Sequence, residues 1–180
     1  MESLDQPYLE QLKDIDVQPI FILGDARSGT TLLYQTLAST QCFSVVKAYH
    51  IIKYDEILYN YTNNIEAEKM QALQTEFERL GICDREFDAV PVSPDLPEEY
   101  GFILRNTIDQ LYLSEKSLPK FLEICRKVQS TSAPQKPLLL KNPWCYPHFL
   151  YIHQAIPNAR FIFIHRNPVN VISSKLKLIE

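Results

Sequence analysis

Pro19 to Leu37 reads PIFILGDARSGTTLLYQTL, and the order of residue types in this stretch decides the fold. Ile20-Phe21-Ile22-Leu23 is an unbroken apolar run of the length of a buried strand. Gly24 follows, then four residues, then Gly29-Thr30-Thr31; beyond them Leu32, Leu33, Thr36 and Leu37 recur at helical spacing. Strand, glycine loop and helix N-terminus in that order have the spacing of a P-loop, G-x-x-x-x-G-K-[ST], with Thr30 in the lysine position. A cation, Arg27, stands three residues earlier inside the loop. Glycines let such a loop close around an anion. The N–H groups of Ser28, Gly29, Thr30 and Thr31, together with the helix dipole, are then available to hold it.

A second signature lies toward the C-terminus. Pro137-Leu138-Leu139-Leu140 is a short apolar strand ending at Lys141, and a helix is expected from Pro147 to Ile156. Phe161-Ile162-Phe163-Ile164 is another buried strand, ending at His165-Arg166. Asn167-Pro168 then caps and opens a helix through Leu178. Continuous apolar strands that alternate with helices indicate α/β structure with a parallel sheet covered on both faces. The expected fold is a P-loop-type three-layer α/β/α domain with a central parallel sheet. Ligands of such sheets sit beyond the carboxyl ends of the strands. Arg27, Lys141 and Arg166 each follow a strand's end, so three cations are expected to converge on one crevice.

The rest of the chain reads as scaffold. Residues 1–18 are a polar lead-in with one short helix, and Phe43-Ser44-Val45-Val46 is a short strand. Residues 47–62 are dense in tyrosine (Tyr49, Tyr54, Tyr59, Tyr61), with His50 and Asp55-Glu56 between them. That density fits either an aromatic-lined cleft or core packing. Met70, Leu73, Phe77 and Leu80 mark a helix from about Ile65 that Gly81 ends. Residues 82–97 read as loop. Pro97 is expected to open a helix through about Leu113, and Pro119 another through Val128. Residues 130–136 are a polar connector. The helical middle, about 47–136, is expected to form a lid or acceptor-binding insertion within a single domain spanning 1–180.

Composition narrows the function classes. The 180 residues carry a net charge of −4, which argues against general nucleic-acid binding. No apolar run approaches membrane-spanning length. The opening MESLDQPYLEQLKD is neither a signal peptide nor an anchor. Cys42, Cys83, Cys125 and Cys145 lack zinc or C-x-x-C spacing and read as reduced thiols of a cytoplasmic protein. A nucleoside triphosphatase of P-loop type needs the loop lysine and a metal-holding aspartate at a strand end. Here the candidate strands end in Lys141 and in His165-Arg166. Cations in those places argue for transfer of a group less charged than a phosphoryl and without a metal. A sulfuryl group, with one negative charge, fits.

These residues carry a resemblance. GDARSGTT after a strand resembles the 5′-phosphosulfate loop of the sulfotransferases that use 3′-phosphoadenosine 5′-phosphosulfate (PAPS). Pro157-Asn158-Ala159-Arg160, the apolar strand, and Arg166-Asn167-Pro168 through Ser174 are similar to the family's 3′-phosphate motif. There a strand-end arginine is followed eight residues later by a serine; Arg166 and Ser174 have that spacing, with Ser173 the neighbouring alternative. The Arg-Ser-Gly-Thr-Thr form is nearest the tyrosylprotein and carbohydrate branch, and Lys141-Asn142-Pro143 is similar to that branch's Lys-Asp-Pro. The resemblance covers about 19–40 and 137–178.

The resemblance implies in-line displacement at sulfur by an acceptor hydroxyl or amine, with PAPS as co-substrate and no metal. It implies that Arg27 and Lys141 face the sulfuryl and bridging oxygens, that Ser28 to Thr31 hold the 5′-phosphate, and that Arg166 with Ser174 or Ser173 holds the 3′-phosphate. For the general base, the position two residues after the lysine is Pro143. In the tyrosylprotein branch a glutamate follows the loop by about twenty residues; near that place stand Ala48, Tyr49 and His50, so His50 is the candidate, with Glu56 and Asp55 behind it. The family continues with further helices and a basic loop, so a chain ending at Glu180 is expected to be incomplete at its C-terminus, a fragment or a minimal member. The competing readings are a P-loop kinase with displaced catalytic groups and a non-catalytic nucleotide-binding module.

Overall fold

The structure is a computed structural model and describes residues 3–86, 90–132 and 136–177. Its centre is an all-parallel sheet of β1 (Pro19–Leu23), β2 (Ser44–Val45), β3 (Leu138–Lys141) and β4 (Arg160–Phe163), in the order β2-β3-β1-β4. β1 lies between β3 and β4, with Ile22 opposite Lys141 and Leu23 opposite Phe163. This register brings the loop after β1, the end of β3 and the end of β4 to one edge of the sheet.

Alternation along the strands builds a core on each face. Phe21, Leu23, Leu138 and Leu140 point to one side. There α5 (Gly101–Ile108), α6 (Leu118–Thr131) and α7 (Phe149–Ala155) cover them with Ile103, Leu104, Phe121, Ile124 and Ile152. Ile22 and Leu139 point to the other side, where Tyr34, Leu33 and Leu37 of α1 (Thr30–Ser39) pack on them. The expected α/β/α layering is what the residues form. Among the described residues no helix is long and apolar enough to cross a membrane.

The helical middle consists of α2 (Ala48–Ile52), α3 (Ile57–Thr62), α4 (Glu66–Leu80), α5 and α6. Gly81, at φ +71, ends α4 as its position in the sequence requires. The tyrosines divide: Tyr49 and Tyr54 are buried, Tyr54 in the main cluster, whereas Tyr59 is half-buried and Tyr61 is exposed.

One helix differs from expectation. Pro97 does not open a helix; it pairs with Lys47 in an antiparallel bridge, and Glu98 N–H donates to Val46 C=O at 2.8 Å. The chain is thus held extended until Tyr100. At the far end Asp109, at φ +57, closes α5 with its N–H on Arg105 C=O. α8 (Pro168–Leu176) opens where Asn167 predicts, its side-chain oxygen accepting from Val169 N–H at 2.9 Å. The expected end of that helix at Leu178 and part of the 130–136 connector lie outside the described residues.

Candidate active site

Two glycines fix the shape of the loop after β1. A Cβ on Gly24 would fall 2.6 Å from Cγ2 of Ile164 and 2.9 Å from its carbonyl oxygen, so only glycine lets the end of β4 come this close. Gly29, at φ +100, turns the chain into α1. Arg27 also sits in the left-handed region, at φ +70, and is fixed on both sides. Its Nε donates to Ser174 Oγ of α8 at 3.0 Å, and its carbonyl accepts from Arg166 Nη1 at 3.0 Å. Lys175 pairs with Asp25 of the loop at 2.7 Å. The two sequence signatures, more than a hundred residues apart, are thus bonded to each other.

Within the loop, Ser28 N–H is engaged in a turn, donating to Asp25 C=O at 3.1 Å, unlike the free amide expected there. Its hydroxyl is buried and has no hydrogen-bond partner among the described residues. The first turn of α1 leaves N–H groups without intrahelical acceptors, as at any helix start. A buried hydroxyl lacking a partner, beside these amides, fits an anion seated in the loop.

Lys141 is the other pole of the site. It is 3% exposed at the end of β3, on the face that α1 covers. Its ammonium donates to Thr31 Oγ1 at 2.9 Å and to Glu99 Oε1 at 2.5 Å. Glu99 is itself buried and also bonded to Arg85 Nη1 at 3.3 Å, while the same guanidinium nitrogen reaches Glu98 Oε1 at 2.9 Å. Burial pushes the Glu98 carboxyl above its ordinary range, against the pull of Arg85. Asn142 next to Lys141 anchors the neighbourhood. Its Nδ2 donates to Leu111 C=O at 2.7 Å and its Oδ1 accepts from Trp144 N–H at 3.2 Å, starting a 3-10 helix over Pro143–His148. A Cβ on Gly101 would lie 2.7 Å from that Nδ2, which is why α5 can lie so near.

A cleft of about 530 Å³ opens between these parts. Of the residues expected from sequence, Arg27, Gly29, Thr30, Thr31, Lys141 and Arg166 line it together. Ser28 lies buried in the loop, and Ser174 joins through Arg27. Ser173 is exposed on α8.

His50 must be corrected. It is not among the described residues lining the cleft but is buried at the start of α2, where Nδ1 accepts from Lys47 N–H at 3.0 Å. Burial, helped by the Lys47 charge, lowers its pKa from 6.5 to about 3. Its proton-accepting nitrogen is occupied by the backbone. Among the described lining residues the carboxylate is Glu99, which the sequence reading missed. Its only signal is the pair Glu98-Glu99 ahead of an apolar stretch, and no period or motif distinguishes it from a solvated helix start. Glu56, the second candidate, pairs with Lys53 at 2.9 Å.

The fold has a known counterpart. The crystal structure of sulfotransferase STF9 from Mycobacterium avium superposes with a TM-score of 0.67 at 18% identity, over 97% of this chain and 49% of that one. The chain thus spans about half the length of that protein. No match was found among curated proteins. A sequence model of the sulfotransferase family matches residues 19–180, from the first residue of β1 through both signatures. This chain, with its P-loop-like loop bonded to a strand-end arginine and serine, belongs to the sulfotransferase family.

Proposed function

We propose that this chain transfers a sulfuryl group from PAPS to a hydroxyl or amine by in-line displacement. The observation that carries this reading is the buried Lys141 ammonium, held between Thr31 of the loop and the Glu99 carboxylate in a cleft shared with Arg27 and Arg166. PAPS supplies a sulfuryl group on a phosphate leaving group. Gly29, Thr30 and Thr31 hold the 5′-phosphate through backbone N–H groups and hydroxyls, with the Ser28 hydroxyl beneath them. Arg166, bonded to the loop carbonyl of Arg27, has guanidinium nitrogens to spare for the 3′-phosphate. Lys141 and Arg27 stabilise the charge that grows on the bridging and sulfuryl oxygens as the S–O bond breaks.

Glu99 takes the role first assigned to His50. It accepts the acceptor's proton as the new S–O bond forms. Its charge is met by Lys141 and Arg85, which distinguishes it from the metal-holding carboxylate that phosphoryl transfer uses. The kinase reading is accordingly the weaker one.

The test combines calorimetry with adenosine 3′,5′-bisphosphate and single-turnover transfer of labelled sulfate from PAPS. Arg166→Ala weakens bisphosphate binding about ten- to a hundredfold, as loss of a charge-assisted contact does. Lys141→Ala keeps most of that binding and lowers the transfer rate about a hundred- to a thousandfold. A Lys141→Ala protein that binds poorly yet turns over normally when saturated would put Lys141 in ground-state binding and overturn the assignment.

A further inference from the structure

The cleft's polar side chains divide unevenly between the two substrates. Arg27, Thr30, Thr31, Lys141 and Arg166 belong to the donor set assigned above. Among the described lining residues only Glu99 and Arg105 remain with charged or polar side chains for the acceptor. The rest of that wall is apolar: Val90, Phe102, Leu111, Pro143 and Trp144, with Leu32 at the first turn of α1.

This lining discriminates between acceptor classes. A sugar brings several hydroxyls, and each one buried without a partner costs about 1–3 kcal/mol. Glu99 is committed to the reacting hydroxyl, so among the described residues only Arg105 is left on this wall to meet the others. An alkyl chain or ring against Phe102, Leu111 and Trp144 instead gains about 25 cal/mol for each Å² of apolar surface removed from water. Arg105 adds a directional feature. It sits on α5, exposed at the cleft, and makes no ion pair with the described residues, in a chain whose net charge is −4.

We propose that the acceptor is an amphiphilic alcohol, with its hydroxyl at Glu99, its apolar body along Phe102, Leu111 and Trp144, and an anionic group at Arg105. The proposal rests on the sulfuryl-transfer reading. In the step it describes, the acceptor oxygen forms a bond to sulfur, the bond from sulfur to the 5′-phosphate oxygen breaks, and the hydroxyl proton passes to Glu99. The product is a sulfate ester with a second anion at its far end.

Trp144 provides a readout independent of transfer. It is the chain's single tryptophan, lines the cleft and is 56% exposed, so a ligand seated there changes its emission. The probes are ω-hydroxydecanoate, decanol and methyl glucoside. Both alkyl probes are expected to saturate the signal, hydroxydecanoate about threefold to tenfold tighter than decanol, and methyl glucoside to give no saturable change. Arg105→Ala removes the preference for the carboxylate and leaves decanol binding unchanged, whereas Arg105→Lys retains part of the preference. Glucoside binding as tight as decanol, a carboxylate preference that survives in Arg105→Ala, or no response to either alkyl probe would overturn the proposal. A parallel titration with adenosine 3′,5′-bisphosphate separates the two readings: alkyl binding without bisphosphate binding refutes the donor assignment and leaves the cleft's selectivity standing.

Discussion

Glu99 shows how much one residue's setting determines its chemistry. It lies in a cleft wall between two cations, and its carboxylate is oriented by Lys141 and Arg85. Glu99→Gln keeps the shape and removes the base proposed above. Single-turnover transfer is expected to fall about a hundredfold or more, with bisphosphate affinity within about threefold of the parent chain. Equal loss of both would make Glu99 a structural partner of Lys141 instead. His50 is the opposite case, a histidine whose titration belongs to stability. Its folded pKa of about 3 lies below the ordinary 6.5, so between these values the unfolded chain binds a proton that the folded chain does not. Its contribution is fully present above pH 6.5 and is lost as pH falls toward 3, by about 1.4 kcal/mol per pH unit. His50→Gln can still accept from Lys47 N–H but does not titrate. Denaturant unfolding at pH 7 and pH 5 should show a smaller pH dependence in the variant. An unchanged slope would assign the acid sensitivity to other groups.

At the scale of elements, the loop and α8 form one unit. Arg27 reaches Ser174, Arg166 reaches the Arg27 carbonyl, and Lys175 reaches Asp25. The serine of the second signature therefore holds Arg27, in addition to the 3′-phosphate contact proposed for it. Ser174→Ala is expected to weaken bisphosphate binding about fivefold to twentyfold, whereas Ser173→Ala, on the exposed side of α8, leaves it within twofold. The reverse order in calorimetry would move the 3′-phosphate contact to Ser173. The elements that carry this unit were legible because local signals specify them. An apolar run reads as β1, β3 or β4, glycine marks the loop, and Asn167-Pro168 opens α8. α5 was misjudged because Pro97 carries the same local signal as a helix start, while its real constraint is the distant pairing with Lys47. Glu99 was hidden for the same reason: its partners, Lys141 and Arg85, come from other parts of the chain. His50 was attractive by its distance from the loop, which says nothing of the burial that removes it from the cleft.

The whole molecule depends on one further long-range contact that no local signal announces. Asp5 and Lys127 are both fully buried, and their charges meet at 2.8 Å. Asp5 Oδ1 also accepts from Tyr59 N–H at 2.9 Å, and Lys127 Nζ donates to Tyr54 C=O at 2.8 Å while lying 4.2 Å from the centre of the Tyr54 ring. Three distant segments are thereby closed on one point: the N-terminal 3-10 helix over Gln6–Leu12, the tyrosine-rich stretch through α3, and α6 behind the sheet. Two charges taken fully out of water are costly. Asp5 is met by Lys127, while Lys127 is met both by Asp5 and by Glu123 Oε1 at 3.2 Å. Lys127→Met leaves Asp5 an uncompensated ion and is expected to lower unfolding free energy by about 3–5 kcal/mol, whereas Asp5→Ala leaves Lys127 with Glu123 and is expected to cost less. Removing both removes the charges together. The double variant Asp5→Ala/Lys127→Met should therefore lose clearly less than the sum of the single losses, because residues in contact are not additive. Denaturant unfolding of the four proteins gives the coupling directly. Since none of these residues lines the cleft, bisphosphate affinity at a temperature where all four remain folded should change by less than about twofold. Additive losses would mean that the pair is held by its separate backbone contacts, to Tyr59 and Tyr54, and that the ion pair itself does not fasten the N-terminal segment to the rest of the fold.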